Sequence, residues 1–122
     1  MAQQRTILAV DDSLTIRELI NFVLGNAGFK VVLAEDGIEG LDRLERLKPD
    51  VIITDVNMPR LDGLSFIERI REGQAKGTPI LVLTTESEPA MKARAKAAGA
   101  TGWIVKPFNP LQLVEAVQRV SP

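Results

Sequence analysis

Five times along this chain, a short apolar run rich in branched residues gives way to a longer stretch with apolar residues at helical spacing. The expected strands are Thr6–Val10 (TILAV), Lys30–Ala34 (KVVLA), Val51–Thr54 (VIIT), Ile80–Thr84 (ILVLT) and Gly102–Val105 (GWIV). Their apolar character is continuous rather than alternating, so both faces of each strand need cover. Strands of that kind, joined by helices, make a parallel sheet, and right-handed crossovers leave few ways to wind it. The expected fold class is α/β: a doubly wound (βα)5 sandwich of the flavodoxin-like kind, with five parallel strands in the order 2-1-3-4-5.

The helical segments carry their own punctuation. Ser13 stands where it caps the first helix, which should place Ile16, Leu19, Ile20, Val23 and Leu24 on one face and close at Gly28. In the second, Ile38, Leu41, Leu44 and Leu47 share a face, and Pro49 stops the helix. Asp62 or Gly63 opens the third, with Leu64, Ile67 and Ile70 inward. Pro89 starts an alanine-rich fourth that ends near Gly99, and Pro110 starts a fifth with Leu111, Val114 and Val117 inward. No linker or repeat interrupts these 122 residues, so one domain over residues 1–122 is expected.

Composition narrows the chemistry. The chain has no cysteine and no histidine, which excludes disulfides, a thiolate nucleophile, an imidazole base and the usual zinc sites. Carboxylates, lysine, hydroxyls and backbone remain, and a metal would be a hard cation that prefers oxygen. Fifteen basic residues against 16 acidic ones leave a net charge of −1, with no footprint for nucleic acid. No apolar run approaches the ~18 residues of a membrane span, and Ile7–Val10 is too short and too soon acidic for a signal peptide. Neither nucleic acid nor membrane insertion is expected, and the expected location is the cytoplasm.

In open α/β sheets, ligands bind beyond the carboxyl ends of the strands. Asp11 and Asp12 follow the first strand, Asp55 and Asn57 the third, Thr84 and Thr85 end or follow the fourth, and Lys106 follows the fifth. Each alone fits a cap, a turn or a solvated side chain. Together they bring three carboxylates, a hydroxyl and a lysine to one crevice. Two carboxylates about 4 Å apart repel by about 4 kcal/mol at an effective dielectric near 20. A divalent cation offsets that repulsion, and this donor set points to Mg²⁺. A carboxylate beside Mg²⁺ and a lysine is a plausible phosphoryl acceptor, because both cations neutralise charge on the transferring oxygens. Asp55, after the most apolar strand, is the best placed.

The motifs VDDS (Val10–Ser13), TDVNMP (Thr54–Pro59), DG (Asp62–Gly63), LTTE (Leu83–Glu86) and KPF (Lys106–Phe108) follow one another in an order and spacing that are highly specific. In these the chain resembles the receiver domain of bacterial two-component response regulators, of the CheY type, over nearly its whole length. The resemblance implies Asp55 as phosphoacceptor, with Asp12, Asp55 and the Asn57 backbone carbonyl as direct Mg²⁺ ligands and Asp11 acting through a metal-bound water. It implies Lys106 as the phosphoryl's ion-pair partner, a cis bond to Pro107, Thr84 as the hydroxyl that swings to the phosphoryl, and Trp103 as the aromatic switch. Asn57 and Glu86 occupy the positions that tune dephosphorylation. Trp103 and Thr85 depart from the commoner choices, which are Tyr or Phe and a small residue. The basic residues Lys92, Arg94 and Lys96 lie on the fourth helix, part of the family's output surface.

What the resemblance implies is a signalling switch and not a turnover enzyme. A partner histidine kinase is the phosphodonor, a protein such as a flagellar motor component is the target, and a phosphatase is a further partner. Since the chain has no histidine, it must be a receiver and not a donor. Chemotaxis is the leading expectation; a phosphorelay intermediate, a phosphate sink and a receiver excised from a larger regulator are the alternatives. An aspartyl-phosphate hydrolase of the haloacid dehalogenase type needs a second acid where Asn57 stands. A flavodoxin-like FMN carrier needs a non-acidic first loop where Asp11 and Asp12 stand. A pseudo-receiver would lack the complete acceptor set.

Overall fold

The structure is a computed structural model describing residues 4–73, 75 and 77–122. Ten elements alternate: β1 (Thr6–Val10), α1 (Leu14–Asn26), β2 (Lys30–Ala34), α2 (Gly37–Arg46), β3 (Val51–Thr54), α3 (Gly63–Glu72), β4 (Ile80–Thr84), α4 (Pro89–Ala98), β5 (Gly102–Val105) and α5 (Pro110–Val120). The strands form one parallel sheet in the order 2-1-3-4-5, as the pattern predicts. β3 sits at its centre, with its four residues buried.

The pleat sends successive side chains to opposite faces, and each face meets its own helices. Leu8, Val10, Ile52, Ile80 and Val82 pack with Leu44 of α2, Phe66, Ile67 and Ile70 of α3, and Ala95 of α4. Ile7, Ala9, Val51, Ile53, Leu81 and Leu83 pack with Ile20 and Leu24 of α1 and Leu113 and Val117 of α5. Each of these large aliphatic side chains contributes on the order of 2 kcal/mol when fully buried.

The helix starts follow the expected capping chemistry. Ser13, Asp36, Asp62 and Asn109 accept from the first-turn N–H groups of α1, α2, α3 and α5. α4 starts instead on Pro89, without a side-chain cap. Four expected core positions are corrected. Leu19 is exposed, because it stands about 100° of helix rotation from Ile20, at the margin of the stripe that Ile20 and Leu24 define. Leu111 is 71% exposed, because the inward stripe of α5 runs through Leu113 and Val117, about 200° away. In α2, Ile38 is exposed, and Leu47 lies past the last turn in extended conformation. Phe66, which the helical spacing did not single out, is the largest fully buried side chain.

Candidate active site at the carboxyl end of the sheet

The strand ladder extends one residue past three strand ends and so places the site. The Asp11 N–H donates to Ala34 O at 3.1 Å, the Asp55 N–H to Val10 O at 3.1 Å, and the Lys106 N–H to Thr84 O at 2.7 Å. Each backbone is thereby locked to the strand beside it. The side chains then converge: Lys106 Nζ donates to Asp11 Oδ2 at 2.6 Å and to Asp55 Oδ2 at 2.8 Å. Carboxylate oxygens of Asp11, Asp12 and Asp55 lie within 4.8 Å of one another. Asp11 and Asp55 are buried, and Asp12 is exposed at the rim. The Lys106–Pro107 peptide bond is cis.

Electrostatics follow from this geometry. Burial pushes the Asp11 carboxyl above the usual carboxylate range, against the opposing pull of its hydrogen bond to Lys106 and that of the Ser13 N–H. Burial alone would lower the Lys106 ammonium, but the hydrogen bonds and charges of Asp11 and Asp55 outweigh it and hold the group above its ordinary value. Lys106 is therefore charged at neutral pH. One lysine does not neutralise three carboxylates, and hard oxygen donors this close together suit Mg²⁺.

Asp55 is oriented from its backbone side. Its Oδ1 accepts from the N–H of Val56 at 2.6 Å and of Asn57 at 3.3 Å, while Oδ2 is shared with Lys106. Glu86 ties the rest together. Its N–H donates to Thr84 Oγ1 at 3.3 Å, its carbonyl accepts from the Trp103 indole at 3.1 Å, and its carboxylate lies 3.5 Å from Asn57 Nδ2. The Thr84 hydroxyl is fully buried, and Trp103 is half-buried against the α2–α4 side of the core. All the residues expected at the site are thus found at this end of the sheet. One was missed: Arg17 of α1 donates to the Asp11 carbonyl at 2.7 Å and steadies the loop after β1. Its only sequence signal is its place one turn beyond the Ser13 cap.

Gly63 shows how tightly the loop after β3 is packed. Its N–H donates to Val56 O at 2.9 Å, and a Cβ there would stand 2.6 Å from Val56 Cα and closer still to the Asp55 carbonyl oxygen. Backbone cannot yield as a side-chain tip does. Gly63→Ala should therefore cost about 3 kcal/mol in urea unfolding, the upper part of the overpacking range. Unchanged stability would show that the loop is free to shift.

Comparison with known proteins agrees with this geometry. Residues 7–118 match the response regulator receiver domain family. Chemotaxis protein CheY1 of Helicobacter pylori is 39% identical over 117 residues, covering 93% of this chain and 94% of that protein. The phosphate regulon transcriptional regulatory protein PhoB of Escherichia coli is 37% identical over 123 residues, and the chain spans about half of it (54%). Among solved structures, chemotaxis response regulator CheY4 of Vibrio cholerae is 49% identical with a TM-score of 0.92, over 97% of this chain and 99% of that one. In this chain a half-buried lysine bridges two strand-end aspartates on a 2-1-3-4-5 sheet, and with residues 7–118 matched the chain belongs to the response regulator receiver domain family of two-component signalling.

Proposed function

We propose that this chain accepts a phosphoryl group on Asp55 from a partner histidine kinase and passes the signal on by protein contact. The observation that carries the reading is Asp55 Oδ2 at the end of the central strand, 2.8 Å from Lys106 Nζ and beside Asp11 and Asp12. The transfer balances simply. A carboxylate oxygen of Asp55 forms a bond to phosphorus, and the phosphorus–nitrogen bond of the donor phosphohistidine breaks. The imidazole leaves with that electron pair and regains a proton. Lys106 stays within reach of the new phosphoryl oxygens and pairs with their charge. Asp12, Asp55 and the Asn57 carbonyl would hold Mg²⁺ directly, and Asp11 would act through water. When bound, the ion supplies positive charge where the phosphoryl oxygens need it.

The switch runs through Glu86. Thr84 Oγ1 now bonds the Glu86 N–H, so turning toward a phosphoryl group releases that N–H. The same residue's carbonyl holds the indole of Trp103, so the loop before α4 and the indole move together. Asn57 and Glu86, facing each other across the mouth, set how readily water reaches the phosphoryl group and so tune dephosphorylation. A shift between two pre-existing states then alters the α4–β5 surface. There a cavity of about 310 Å³, lined by Lys92, Lys96, Thr101 and Trp103, suits an acidic partner segment.

The similarity to CheY4 and CheY1 favours a chemotaxis role, with a flagellar motor component as target and a phosphatase as a further partner. The similarity to the PhoB half supports the second reading, a receiver working within or alongside a larger regulator. In either setting the chain acts as one receiver unit in the cytoplasm and as a switch, not a turnover enzyme. Among the described residues no helix is long and apolar enough to cross a membrane.

The test is incubation with Mg²⁺ and phosphorylated histidine kinases of the host. Alkali-labile, hydroxylamine-sensitive label on the chain is expected, and no label from any kinase or from small phosphodonors would overturn the reading. Trp103, the only tryptophan, gives a second readout. Its emission should change on adding beryllofluoride with Mg²⁺, and a constant spectrum would exclude the Glu86-linked switch.

A further inference from the structure

The segment from Asp55 to Asp62 joins β3 to α3 and carries Asn57. Its near end is fixed by Asp55 Oδ1, which accepts from the Val56 and Asn57 N–H groups. Its far end is held differently. Arg60 has φ +66°, the one positive-φ residue other than glycine among the described residues. The Leu61 N–H donates to Pro59 O at 2.7 Å, so Arg60 is the centre of a turn closed between residues two apart. With positive φ this is the rare, strained kind of γ-turn. Such a conformation costs on the order of 1–3 kcal/mol and persists only where its surroundings hold it.

Two contacts hold it. Arg60 Nε donates to Asp36 Oδ2 at 2.7 Å and Nη2 donates to Oδ1 at 3.1 Å, a two-pronged pair. Asp36 is buried and also caps α2, accepting the Glu39 N–H at 2.8 Å. The second contact is backbone against backbone: a Cβ on Gly37 would lie 2.7 Å from the Leu61 carbonyl oxygen, so only glycine lets the turn seat on α2. The guanidinium holds the Asp36 carboxyl below the usual carboxylate range, as a formed ion pair requires. The Arg60 side chain is 57% exposed and that of Asp36 only 4%, so solvent screens the pair only in part. The strain of the turn opposes whatever the pair contributes to stability. What the clasp supplies is position.

We propose that Arg60 and Asp36 are positioning residues for divalent-cation binding, clasping the β3–α3 segment so that Asn57 keeps one placement relative to Asp12 and Asp55. This rests on the reading of those carboxylates and the Asn57 carbonyl as a cation site. Neither clasp residue touches the carboxylate cluster; each acts through the segment between.

The test is a Mg²⁺ titration followed by Trp103 emission or calorimetry, beside thermal unfolding without Mg²⁺. Wild type, Asp12→Ala, Arg60→Gly, Arg60→Lys, Asp36→Asn and the Arg60→Gly/Asp36→Asn double variant are compared. Asp36→Asn keeps a good cap and loses the ion pair. Arg60→Gly relieves the positive φ and loses the guanidinium. Each clasp variant should bind Mg²⁺ about tenfold more weakly, the lower end of what lost outer partners cost a metal site. Arg60→Lys should recover only part of that, and the double variant should be no weaker than the worse single one. Arg60→Gly should at the same time unfold no earlier than wild type. A merely structural clasp would lower the unfolding temperature and leave Mg²⁺ affinity unchanged. Wild-type affinity in Arg60→Gly and Asp36→Asn, with Asp12→Ala weakened, overturns the clasp and leaves the cation site standing. No Mg²⁺ binding by wild type overturns both.

Discussion

Asp55→Asn is expected to take no phosphoryl group from a labelled kinase that fully labels the wild type. An amide oxygen is a far weaker nucleophile than a carboxylate, and forming a bond to phosphorus would cost the amide its conjugation. No neighbour substitutes. Asp11 is committed to Lys106 at 2.6 Å and to the Ser13 N–H at 2.9 Å, and Asp12 stands at the exposed rim. Loss of folding would not explain the result. The asparagine carbonyl still accepts from Val56 and Asn57, and Lys106 keeps Asp11. One fewer negative charge among three carboxylates relieves repulsion, so Asp55→Asn should unfold at an equal or higher temperature. Gel autoradiography beside a melting curve checks both halves. Label persisting on Asp55→Asn would move the acceptor elsewhere.

The second large effect is the stabilisation that Mg²⁺ brings. Asp11, Asp12 and Asp55 gather more negative charge than Lys106 offsets, so a cation that binds the folded site alone should raise stability by mass action. At a free Mg²⁺ concentration 100 times its dissociation constant, the gain is about 2.7 kcal/mol. For a domain of this size that corresponds to a rise of about 10 °C in melting temperature. Asp12→Ala should lose most of this rise. Asp12 is the exposed carboxylate of the cluster, and no ion pair holds it among the described residues, so its removal costs the metal-free protein little. An identical Mg²⁺-dependent rise in both proteins would remove Asp12 from the site. Monovalent salt at matched ionic strength separates binding from screening.

Much of the fold was legible along the chain because its signals are local. Five continuous apolar runs, a Ser or Asp before most helices, and Pro89 and Pro110 at helix starts report the nearest few residues. Helix faces were less legible. Leu19, Ile38 and Leu111 have the right spacing yet face solvent, and Phe66 lies at the core unannounced. Which stripe of a helix turns inward depends on how it lies on the sheet, and spacing alone does not report that. Among the residues that meet beyond the strand ends, Asp11, Asp12, Asp55, Thr84 and Lys106 were singled out by their places along the sequence. Arg17 and the Arg60–Asp36 clasp were not, since an arginine after a proline or within a helix has the look of any solvated side chain.

The pattern of this chain settles which elements form, in what order, and which donors are on hand: carboxylates, a threonine, a lysine, and no histidine or cysteine. Those follow from composition and from interactions spanning a few residues. Which donors meet is a matter of strand order and register. Lys106 lies 95 positions from Asp11 and 51 from Asp55, yet bonds both, because β5, β4, β3 and β1 lie side by side in one fixed register. A slip of one residue would turn any of those side chains to the other face. The same holds for Arg60, 24 positions from Asp36, whose strained turn has meaning only against the start of α2. Long-range packing alone brings such pairs together, because nothing in the intervening chain links them.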